Sequence, residues 1–135
     1  MSISRWCRCV LVAALAAAAA CGAPSERTAG ASAAATGFTD AVRRSDGGRA
    51  CALLAPRTRE ELEQSERTTC DRAVLQEQLP AGATVRGVDV YGDRARVLLS
   101  GDTLFLARFP SGWKVVAAGC TPRPERPYDC TVEGG

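Results

Sequence analysis

Histidine is absent from this 135-residue chain, and with it goes the commonest general base and the usual Ser-His-Asp or Cys-His arrangement for nucleophilic catalysis. Aromatic residues are scarce, seven in all, and Trp6 stands in the first ten residues, so few large rings are available to build a core or a pocket. No C-x-x-C pair occurs, which together with the missing histidine argues against a structural zinc site or a thioredoxin-like redox centre. No uninterrupted apolar run approaches the roughly 20 residues that a membrane-spanning helix needs. A net charge excess is also missing. The 17 basic and 15 acidic residues include Arg5 and Arg8, and beyond position 20 the chain has 15 of each, so nothing in the bulk charge points to nucleic acid or an anionic surface. Sixteen of the basic residues are arginine, the coding bias of a GC-rich genome.

The amino terminus is informative. Residues 1–9 (MSISRWCRC) carry two arginines and no acid, residues 10–20 (VLVAALAAAAA) are wholly apolar, and small residues precede Cys21. That is the charged, hydrophobic and cleavage-site order of a secretory signal peptide, assigned to residues 1–20. Cleavage before Cys21 resembles the processing of bacterial lipoproteins, although Ala18 stands where that family prefers leucine. The resemblance implies a diacylglyceryl group on the Cys21 thiol and a position at the outer face of the cytoplasmic membrane. The competing reading is an ordinary secreted protein cut at an Ala-x-Ala site, with Cys21 paired elsewhere. Parity separates them: five cysteines follow position 20, and five cannot all pair within one chain. With Cys21 acylated, Cys51, Cys70, Cys120 and Cys130 remain for two disulfides, as export permits. Of the three pairings, Cys51 with Cys70 and Cys120 with Cys130 is favoured, stapling helix to helix and folding back the tail. Cys7 and Cys9 leave with the signal. Residues 22–35 (GAPSERTAGASAAA) read as a small, polar, disordered tether with no large apolar side chain.

From Thr36 the punctuation is helical. Phe38, Ala41 and Val42 share a face after a Thr36 or Thr39 cap, and Gly47 with Gly48 gives a stop. "RACALLAP" makes a short helix ended by Pro56, Thr58 and Glu61 have capping-box spacing, and Thr69 caps a last helix that Pro80 terminates. Beyond Pro80 the period falls to two. "TVRGVDVY", "RARVLLS", "TLFLARF" and "WKVVAAGC" form four strands joined by tight turns, with a bulge expected at Gly87 because Val85 is out of phase. The third strand has large apolar side chains on both faces, which marks it as central and covered on both of them. The expected fold is therefore α+β: helices packed on a four-stranded antiparallel meander over residues 36–120, followed by a Pro-rich tail, 121–135, tied down by a disulfide.

This order, ending in "FLARFPSGWKVVAAGC", resembles the NTF2-like (cystatin-like) cone, in which the last strands carry a Gly-Trp-Lys-Val type segment, here Gly112 to Val115. "DAVRRSDGGRACALLAP" is similar to small actinobacterial lipoproteins. The resemblance implies a fold and a cavity, for which Phe105, Trp113 and Tyr91 are the candidate lining residues. It also implies that some relatives are isomerases using an Asp with a Tyr, and Asp89, Asp102 and Tyr91 are those residue types. Asp89 alternates with Val88 and Val90 toward water, however, and Asp102 sits in a Gly-Asp turn, where aspartate bonds its own backbone. The charged run "TREELEQSER" reads as a solvated helix face or as a protein-contact surface. The expectation is a non-enzymatic exported lipoprotein, with no cofactor and no metal, that binds a protein partner or a small apolar ligand at the cell envelope. The alternative is a small isomerase or hydrolase with a cavity carboxylate.

Overall fold

The computed structural model describes residues 23–81 and 84–134, so the signal segment and Cys21 lie outside the described residues. Four helices, α1 (Pro24–Arg43), α2 (Gly47–Leu53), α3 (Pro56–Glu66) and α4 (Cys70–Gln76), precede five strands. These are β1 (Val85–Tyr91), β2 (Arg94–Leu99), β3 (Thr103–Phe109), β4 (Gly112–Arg123) and β5 (Arg126–Glu133), in the order β1-β2-β3-β4-β5, every neighbouring pair antiparallel. The α+β class holds, and β3 is central, but it is not covered twice: Leu104 and Leu106 are buried, whereas Phe105 is half-buried and lines a surface groove.

Two expectations are corrected. The sheet has five strands, because the tail returns alongside β4 as β5, with Cys120 opposite Cys130. Its prolines do not prevent this. Pro124 lies between β4 and β5, and Pro127 lies on a strand at the edge of the sheet, where a missing N–H costs least. The second correction concerns residues 22–35. Pro24 is the first residue of a 20-residue helix rather than part of a disordered tether, and Ala31, Ala34 and Ala35 are buried with Phe38 and Ala41 on one side of it. Alanines at that spacing have high helix propensity and let a helix approach a sheet closely, so a stretch without large apolar side chains still makes a packed face.

The local punctuation shifts in the same way. Asp46 caps α2, its carboxylate accepting from the Arg49 amide at 3.1 Å, and Gly47 begins that helix instead of stopping α1. Pro56 opens α3 at a position where its missing N–H has no helical partner to lose. Thr58 therefore lies inside the helix and does not cap it. In β1 the register slips between Val85 and Gly87, as the break in phase implies.

The core lies between the helices and one face of the sheet: Phe38, Leu62 and Val74 from the helices and Leu54 from the α2–α3 link meet Val97, Leu104, Leu106, Trp113, Val115 and Ala118. Each fully buried side chain of this size contributes about 1.5–3 kcal/mol relative to exposure. Two disulfides reinforce it. Cys51–Cys70 joins α2 to α4 inside the core, and Cys120–Cys130 bridges β4 and β5.

Candidate functional site

The site is built around a bulge in β4. Phe105 pairs with Ala117 while the next residue, Leu106, pairs with Val115, so Val116 is an extra residue on β4. Its carbonyl accepts hydrogen bonds from Thr58 Oγ1 of α3 at 2.9 Å and from the Gly134 amide at 3.1 Å. The preceding carbonyl, of Val115, accepts from the Ala55 amide at 2.8 Å. The bulge thus brings the start of α3 and the end of β5 to the same point of the sheet.

On β3, Leu104 and Leu106 face the core and Phe105 faces outward. Opposite Phe105 stands the small side chain of Ala117, and the Tyr128 ring of β5 meets the Phe105 ring edge to face, with centroids 5.0 Å apart and planes at 74°. Aromatic pairs favour this arrangement because the positive ring edge meets the negative face. The Tyr128 hydroxyl accepts from Arg96 at 3.4 Å, and the same guanidinium holds Asp89 through two hydrogen bonds, at 2.6 and 3.1 Å. One cation thus links β1, β2 and β5 across the outer face.

These groups form a groove of about 570 Å³ lined by Phe105, Val116, Ala117, Pro127, Tyr128, Cys130 and Gly134, with Glu61 of α3 and Glu133 of β5 at its rim. Its walls are apolar and aromatic, and its rim is acidic. That combination accommodates a small apolar group or an apolar side chain from a partner, and a cationic neighbour on the ligand would find Glu133, Glu61 being already paired with Arg57. A second groove, of about 700 Å³, runs between α3 and the β3–β4 hairpin and includes Leu54, Arg59, Glu60, Glu63, Phe109 and Lys114. Lys114 crosses toward it, donating to the Ala52 carbonyl at 2.6 Å. The acidic side chains of α3 thus line both grooves, and Arg57 and Arg59 pair with Glu61 and Glu63 at 3.4 and 3.3 Å along the helix.

The three residues expected to line one cavity are separated. Phe105 lines the outer groove. Trp113 is on the opposite face, buried in the core against α1, where a Cβ at Gly30 would stand 2.9 Å from its Cδ1. Tyr91 ends β1 and is exposed. Sequence reasoning missed Tyr128, and the signal for it was its spacing two residues before Cys130, which places both on a strand.

Asp102 is half-buried at the β2–β3 turn, and burial pushes its carboxyl above the usual aspartate range. Backbone amides oppose that shift: Oδ1 accepts from Thr103 at 2.7 Å and from Cys120 at 3.0 Å, and Oδ2 from Gly119 at 2.9 Å. The carboxylate pins the turn to β4 where Gly119 takes a left-handed φ of 65°, and a Cβ there would stand 2.7 Å from Thr131 Oγ1. Asp89 is held by Arg96 on the outer face. The two aspartates are therefore engaged in the sheet's own hydrogen bonds.

The two disulfides mark an oxidising, extracytoplasmic setting. Among the described residues no helix is long and apolar enough to cross a membrane, and no group of three His, Cys, Asp or Glu side chains is placed to hold a metal ion. No family model, no curated protein and no solved structure matches the chain.

Proposed function

We propose that this is an exported lipoprotein, anchored through an acylated Cys21, whose domain binds an envelope partner or small apolar ligand without catalysing a reaction. The observation that carries the reading is the outer groove, which the half-buried rings of Phe105 and Tyr128 line beside the end of β5 and Glu61 of α3. An apolar, aromatic-lined groove with a few polar groups at its edge is the form that sites for small apolar ligands or partner side chains take. The order of helices followed by an antiparallel sheet supports the NTF2-like resemblance, and the residue types at the N-terminus support the lipid anchor. Two acyl chains would hold the protein stably, since a single chain binds a bilayer only marginally.

The test uses the mature protein, extracted with its native processing and immobilised, and exposed to envelope extract. Mass spectrometry should find a protein or small molecule retained by the wild type and lost from a Phe105→Ser variant that melts like the wild type. Equal retention by both, or none by either, contradicts a groove that binds through Phe105.

A further inference from the structure

Cys21 and α1 are joined by only two residues, Gly22 and Ala23, and α1 starts at Pro24. Three residue steps from Cys21 to Pro24 span at most about 11 Å when fully extended. The helix is not a free rod. Ala31, Ala34 and Ala35 are buried in the core, and Gly30 fits so closely against Trp113 that an added methyl would clash. An anchor at Cys21 is therefore an anchor on the whole domain, at one defined end.

That end is composed in a particular way. Pro24, Arg27 and Thr28 of α1 form a small cleft with Val90 and Gly92 of the β1–β2 hairpin. Tyr91, at the hairpin tip, is 56% exposed and is the one large apolar side chain so exposed among the described residues. Arg94 begins β2 beside it, and the Arg108 amide donates to the Asp93 carbonyl at 2.8 Å, which brings the end of β3 to the same hairpin. Arg94 and Arg108 are both exposed, while Arg27 is half-buried, with an Nε that finds no partner among the described residues. Three arginines and a tyrosine face two acids, Glu26 and Asp93.

We propose that this end, the first turn of α1 with the β1–β2 hairpin, is a seating face for an anionic bilayer, so that the domain stands on the membrane in one orientation. The proposal rests on the lipid anchor at Cys21. Tyrosine suits the interface, with its ring among acyl carbons and its hydroxyl at the headgroups, and the arginines meet lipid phosphates. An even overall charge does not oppose this, because only this end comes within a screening length of the surface. The outer groove then sits at a fixed place relative to the membrane.

The experiment reconstitutes the acylated mature protein, residues 21–135, which lacks Trp6, in phosphatidylglycerol–phosphatidylcholine vesicles containing a headgroup-nitroxide lipid. Tryptophan quenching is compared for Tyr91→Trp and Thr121→Trp. Thr121 is exposed and lies eight residues beyond Trp113 along β4, toward the end of the sheet away from the β1–β2 hairpin. Trp113 is the same buried background in both. Ser25→Trp, on the first turn of α1, is a second probe at the proposed face. Quenching at positions 91 and 25 should exceed that at 121 several-fold, and the difference should narrow when phosphatidylglycerol is omitted. Equal quenching at all three positions of an acylated chain overturns the orientation and leaves the anchor standing. A mature chain whose intact mass carries no acyl group removes the anchor, and the orientation falls with it.

Discussion

Gly30 of α1 packs against the Trp113 indole of β4 so closely that a Cβ would stand 2.9 Å from Trp113 Cδ1. Contact at this distance turns a helix of small residues into a fixed part of the core. Two effects compete at Gly30→Ala. Alanine in mid-helix gains about 0.5–1 kcal/mol over glycine, and forcing a methyl into a packed site costs about 1–3 kcal/mol. Trp113 is buried and cannot swing away, so the clash should win. Urea unfolding should show the variant destabilised by about 1 kcal/mol, and a more stable variant would mean that α1 is loosely docked.

Thr58 is fully buried and spends its hydroxyl on the Val116 carbonyl. Thr58→Val keeps the shape and removes the donor, leaving the carbonyl with the Gly134 amide alone. The expected loss is about 1 kcal/mol in chemical denaturation. A neutral result would show that the bulge does not depend on α3.

The acid limb of stability should carry two opposite signs. Burial raises the Asp102 pKa above the 3.8 of an ordinary aspartate, so the folded state holds that proton longer than the unfolded chain. Its contribution is present below pH 3.8 and is lost as pH rises through the folded value. Measured against Asp102→Asn, wild-type stability should decline with rising pH across that window. Asp40 behaves conversely. Its hydrogen bond with Arg43, helped by Arg44, holds its carboxyl below 3.8, so its contribution is present above 3.8 and fades as the pH falls further. Denaturation midpoints at matched pH for wild type, Asp102→Asn and Asp40→Asn check both signs, and parallel profiles would contradict them.

The two disulfides close loops with sequence separations of 19 and 10. In the chain-entropy model both are worth about 3 kcal/mol, the shorter loop slightly less. Cys51 and Cys70 also fill core volume, so Cys51→Ala with Cys70→Ala should cost more than Cys120→Ala with Cys130→Ala. Thermal unfolding of the two double variants tests the ranking.

Strand alternation and turns made β1 to β4 legible, because the period of two runs through Val88 and Val90, through Ala95, Val97 and Leu99, and on to Trp113 and Val115. The fifth strand was hidden by Pro122, Pro124 and Pro127, whose cost depends on edge position, which no single sequence declares. The N-terminal half of α1 was hidden for a related reason. Its buried residues are alanines, and their burial depends on a sheet some 80 residues away, where Gly30 of the same helix meets Trp113. Phe105 was legible as a lining residue, but the face it lines depends on the β4 bulge at Val116 and on the Tyr128 ring of β5 that meets it edge to face.

The most direct test of the central claim is the intact mass of the mature protein extracted from its native membrane, before and after reduction. The expected mass is that of residues 21–135 plus a diacylglyceryl group, gaining four hydrogens when Cys51–Cys70 and Cys120–Cys130 are reduced. An unacylated chain recovered from the medium, with Cys21 free or in a mixed disulfide, would contradict the anchor and the membrane-seated domain together.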